Sequence, residues 1–81
     1  IHNNLGLTLF HLNRSEEALE TLQKGVSIDP QVQRIWLTLG FVQSNTGNIQ
    51  EARQSLQKAI ELGAENQIGL EARKMLDQIP D

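Results

Sequence analysis

The sequence predicts an all-α fold of antiparallel helix–turn–helix pairs stacked as an α-solenoid, and three observations predict it. The chain repeats itself at a spacing of about 34 residues, inside the roughly 20–50-residue range that marks repeat arrays. Its apolar residues recur at three- and four-residue intervals, the period of an amphipathic helix. Helix-starting and helix-breaking residues fall between the apolar runs.

The repeat lays Leu5 and Gly6 on Leu39 and Gly40, and Glu17 and Ala18 on Glu51 and Ala52. It continues with Leu22, Gln23 and Lys24 on Leu56, Gln57 and Lys58, and by similarity with Gly25 on Ala59, Val26 on Ile60 and Ile28 on Leu62. Within the units, Ile35, Trp36, Leu39 and Val42 trace one apolar helix face. Ala18, Leu22, Gly25 and Val26 trace another, and Ile49, Ala52, Leu56, Ala59 and Ile60 a third. Four helices in two pairs follow, the first of them before residue 13.

The punctuation agrees. Asp29 before Pro30 reads as a cap followed by proline at the first helical position, so a helix is expected to start there. Asn13 and Gly47 hold equivalent places between paired helices and are the residue types best able to take positive φ. Asn48 with Glu51 three residues on predicts a capping box; at the equivalent place Arg14 cannot cap, and Ser15 is expected to substitute. After Gly63 and Ala64 a last helix is expected over Glu65 to Gln78, with Ile68, Ala72, Met75 and Ile79 along one face and Pro80 as its stop. Gly69 near its start costs about 1 kcal/mol relative to alanine, so the first turn is expected to fray.

Composition sets the class. With 81 residues, 38% hydrophobic and 21% charged, the chain is one small folded domain with little stability to spare. No run approaches the roughly 20 apolar residues of a membrane span, so no membrane insertion is expected of this segment. The absence of cysteine removes disulfides and thiolate metal sites but does not by itself decide the compartment, for which a cytoplasmic location is the expectation. A net charge of -3 argues against the phosphate backbone of nucleic acid as a partner. The opening Ile1, His2, Asn3 and Asn4 run straight into Leu5 without a cap, so the sequence is expected to start inside a helix of a longer chain.

These residues resemble the tetratricopeptide repeat family over nearly the whole chain. In the second unit Trp36, Leu39 and Gly40 stand at the family's tryptophan, leucine and glycine, and Ala52 and Ala59 at its two small positions, with Leu56 replacing the aromatic between them. The first unit supplies Leu5, Gly6, Ala18, Leu22, Gly25 and the closing Pro30, while His2 departs from the tryptophan and Leu9 and Gln43 from the tyrosine. Arg73 and Lys74 fall where a third unit would need leucine and glycine, so the last helix is expected to be a cap. The expected division is repeat one over 1–32, truncated at its N-terminus, repeat two over 33–64, and a capping helix over 65–81. The small residues let paired helices approach while Trp36 fills the space around them, so Trp36→Ala is expected to cost about 3–5 kcal/mol.

The resemblance also implies a site. In this family the first helix of each pair lines a concave groove that holds segments of partner proteins. Carried over residue by residue, the groove falls on Asn3, Leu7, Phe10 and His11 in the first unit and on Arg34, Leu37, Phe41, Ser44 and Asn45 in the second. Leu7, Phe10, Leu37 and Phe41 are expected to be its apolar anchors. The carboxylate clamp of some members is incomplete, because Asn3 and Leu7 stand where lysine and asparagine are needed and Thr38 replaces a second asparagine.

Catalysis and metal binding find no support in the residues. His2 and His11 lie nine residues apart, about half a turn out of phase on one helix, and no converging ligand set is visible. Glu16, Glu17 and Glu20 read as a solvated acidic face near a helix N-terminus. The expectation is a protein-interaction module that binds a peptide or helical segment of a partner and self-associates through its first helix, with no enzyme activity, cofactor or metal. The alternative is a structural spacer within a longer solenoid or assembly.

Overall fold

Four helices alternate with short turns in the computed structural model, which describes residues 14–79. They are α1 (Ser15–Ile28), α2 (Gln33–Asn45), α3 (Ile49–Leu62) and α4 (Gln67–Gln78). The helix expected ahead of Asn13, and Asn13 itself, lie outside the described residues.

The core follows from the apolar stripes. Ala18, Leu22 and Val26 of α1 meet Ile35, Leu39 and Val42 of α2 in one cluster, with Leu19, Trp36 and Phe41 packed against it. Leu37 of α2, Leu56 and Ala59 of α3 and Ala72 of α4 form a second, which Trp36 also touches. Leu22, Val42 and Leu56 are fully buried, each contributing about 1.5–3 kcal/mol. Gly40 sets the spacing of α2 on α3, since a Cβ there would lie 2.7 Å from Leu56 Cδ2. Helix α2 packs on all three others, whereas α1 and α3 do not pack on each other.

Several helix ends differ from the sequence reading. Asp29 closes α1 instead of opening the next helix: its N–H bonds Gly25 O at 3.0 Å and its Oδ1 accepts from Gln31 N at 3.1 Å. Pro30 and Gln31 form a turn, the Trp36 indole donates to Pro30 O at 2.8 Å, and α2 starts only at Gln33. Arg14, not Ser15, holds the N-cap position of α1; it has no side-chain cap bond, and its guanidinium pairs with Glu17 at 2.7 and 2.9 Å. Exposed on both sides, that pair adds little stability.

Gly47 takes φ 85°, and the Asn48 N–H reaches back to Gln43 O at 2.9 Å, the long bond of a Schellman end. The capping box of Asn48 and Glu51 is not formed, because the Asn48 amide donates instead to Thr46 Oγ1 at 3.0 Å. Helix α4 starts at Gln67, two residues later than expected, capped by Asn66, whose Oδ1 accepts from Gly69 N at 2.8 Å. That first turn is held rather than frayed: Gly69 is buried, and a Cβ there would strike the Gly63 carbonyl oxygen.

One side chain joins three helices. Gln33 Nε2 donates to Ala59 O at 2.7 Å and Gly63 O at 2.9 Å, two carbonyls the end of α3 leaves over, and Gln33 Oε1 accepts from Asn66 Nδ2 at 2.8 Å.

Candidate interaction surfaces

Helix α2 carries every described candidate of the expected groove, and its 3.6-residue turn decides where each points. Arg34, Phe41 and Asn45 lie within about 40° of one another around the axis. Arg34 and Asn45 are exposed and Phe41 is half-buried, its ring packed against the cluster between α1 and α2. Ser44 Oγ and Asn45 Nδ2 both donate to Phe41 O, at 2.9 and 2.8 Å, so these two polar groups finish their own helix end.

Leu37 is not a surface anchor. It is 6% exposed and packs with Leu56, Ala59 and Ala72, because α4 covers the side of α2 on which it projects. Thr38, at the clamp's asparagine position, is 8% exposed and likewise withdrawn from any ligand. Asn3, Leu7, Phe10 and His11 lie outside the described residues, as does His2. Among the described residues no group of three or more His, Asp or Glu side chains is placed to hold a metal ion.

On the opposite face of α2 an open channel of about 580 Å³ runs between α1 and α3. Its floor is Trp36, Leu39 and Gln43 of α2; Gln23, Val26 and Ser27 of α1 form one wall and Gln54 and Gln57 of α3 stand on the other. At its inner end Ser55 Oγ donates to Gln43 Oε1 at 2.7 Å, a bond between two buried side chains. No sequence signal pointed to this pair; Gln43 registered only as a departure from the family's tyrosine.

Successive helices joined by short turns and packed through small contact residues define an all-α helical-repeat protein. The family model described as "Tetratricopeptide repeat" matches residues 4–68, and the chain belongs to that family. It is similar to Protein FlbA of Caulobacter vibrioides, 41% identical over 46 residues, which are 57% of this chain and 8% of that protein. It is also similar to the peroxisomal targeting signal receptor of Kluyveromyces lactis, 35% identical over 60 residues, 74% of this chain and 11% of that protein. The chain thus spans about a tenth of the length of these relatives. Repeats of this family mediate protein–protein interaction and form a non-catalytic fold. No helix among the described residues is long and apolar enough to cross a membrane.

Proposed function

We propose that the chain is a protein-interaction module that holds a peptide or helical segment of a partner against the stripe of α2 bearing Arg34, Phe41 and Asn45. The observation that carries this reading is the exposure of Arg34 and Asn45 beside a half-buried Phe41 on the helix that packs on all three others. An aromatic surface flanked by a cation and an amide suits an apolar anchor with an adjacent carboxylate or main-chain carbonyl. The likeness to a protein named as a targeting signal receptor supports a peptide as the ligand. We divide the chain into repeat one over 1–32, repeat two over 33–64 and a capping helix over 65–81; the exposed Glu71, Arg73 and Lys74 of α4 favour a helix that ends an array.

A spacer role is the second reading, and Leu37 favours it, since one of the expected anchors is consumed by packing inside the chain. A photo-crosslinking residue in place of Phe41, with a matched one in place of the exposed Glu71, separates the two. A discrete crosslinked protein at the first position alone supports the groove. Equal or absent crosslinking at both positions leaves the spacer reading.

A further inference from the structure

We propose that the channel between α1 and α3 is a second binding surface, one that takes an extended polypeptide segment with its main chain hydrogen-bonded to the Gln43 amide and an apolar side chain seated on Trp36. This surface lies half a turn around α2 from Arg34, since the nine residues separating Arg34 and Gln43 rotate by about 180°. It does not depend on the reading given to the Arg34 stripe.

The argument starts from Gln43, which is 4% exposed and lines the channel. Its Oε1 is occupied by the hydroxyl of Ser55, itself 3% exposed, while its Nε2 has no acceptor among the described residues. A buried amide donor without a partner is costly, so an acceptor brought from outside gains more here than at an open surface. A peptide carbonyl placed there makes the same hydrogen bond that solvent otherwise supplies to an open amide. A main chain offers a carbonyl and an N–H at each residue, so it satisfies this amide whichever end faces Ser55.

The walls support the same occupant. Gln23 on α1 faces the channel from one side and Gln54 and Gln57 on α3 from the other, giving neutral donors and acceptors to both edges of an extended strand. Beside the amides, Trp36, Val26 and Leu39 provide an apolar seat, and the half-buried Trp36 ring is the largest part of it. Among the described residues the only cation at the rim, Lys58, stands with Glu51 and Glu61, which disfavours phosphate or any other strongly anionic ligand. The channel stays open because α1 and α3 do not pack on each other.

The test uses the full chain as bait for a random dodecapeptide library displayed on phage. The selected peptides are then titrated against the parent chain, against Gln43→Met/Ser55→Ala and against Arg34→Glu. The double substitution removes both members of the buried pair, so neither is left unsatisfied, and circular dichroism checks that it folds. Peptides that bind the double variant at least tenfold more weakly than the parent, and Arg34→Glu as tightly as the parent, support the channel. Peptides weakened only by Arg34→Glu overturn it, as does a library that yields no binder. Where the double variant does not fold, the parent's own NMR signals decide. Saturable shifts of the Gln43 side-chain amide and the Trp36 indole N–H support the proposal, and their constancy at saturation overturns it.

Discussion

Replacing Gln33 with methionine keeps the length and volume of the side chain while deleting three hydrogen bonds, to Ala59 O, Gly63 O and Asn66 Nδ2. The first two are partly buried and the third is exposed, so the loss is carried by two bonds at about 0.5–1.5 kcal/mol each. Water reaches the freed carbonyls in part, which sets the expected loss for Gln33→Met near 2 kcal/mol. In a domain of this size that is roughly 8–16 °C in Tm. A thermal melt followed by circular dichroism reads the total, and hydrogen exchange locates it: the first turn of α4, tethered through Asn66, should exchange faster than α1. Gln33→Glu adds a pH test. The introduced carboxylate faces two carbonyl oxygens, so its folded pKa rises above the unfolded value of about 4.3. The folded state then binds more protons, and stability falls as pH rises through that interval, making the variant less destabilised near pH 4 than at pH 7. A Tm within about 2 °C of the parent for Gln33→Met, with unchanged exchange over Gln67 to Glu71, would refute the reasoning.

Three further outcomes are expected. Gly69→Ala should destabilise by about 1–3 kcal/mol in a denaturant titration, because its Cβ meets the Gly63 backbone oxygen, although helix propensity alone favours alanine by about 1 kcal/mol; a gain in stability would show that the α3–α4 turn yields. Leu56→Ala should cost about 2–5 kcal/mol, and Gly40→Ala combined with it should cost less than the sum, since the truncation clears the space the new methyl needs; strict additivity in the double-mutant cycle would sink this account of helix spacing. Trp36→Phe should cost about 0.5–1.5 kcal/mol for the indole bond to Pro30 O. Trp36→Ala should fall toward the lower end of the 3–5 kcal/mol expected of a buried ring, because Trp36 is only half-buried; equal melts for the two variants would assign the whole effect to that bond.

Much of the fold was legible because it rests on residues whose roles are local or periodic. The stripes through Ala18, Leu22 and Val26 and through Ala52, Leu56 and Ala59 are the buried ones, and Gly47 has the positive φ its place required. The helix starts were less legible, because they turn on competition among hydrogen-bond partners. Asp29 had two helices to serve and took the end of α1, and Asn48 had Thr46 within reach and did not form its box. The bonds of Gln33 were missed since its partners lie 26 to 33 residues away in sequence. Of the candidate groove, Arg34, Phe41 and Asn45 share a helical phase that the sequence gives directly. The burial of Leu37 was not legible, because it depends on where α4 comes to rest.

Three sides of α2 are committed to its neighbours, through Ile35, Leu39 and Val42 toward α1, Gly40 toward α3 and Leu37 toward α4. On another side of the helix Arg34 and Asn45 are exposed. Descendants of this sequence can therefore exchange those two side chains while the architecture stays put. The same helix that locks the array together is thus the one that also carries positions free to vary.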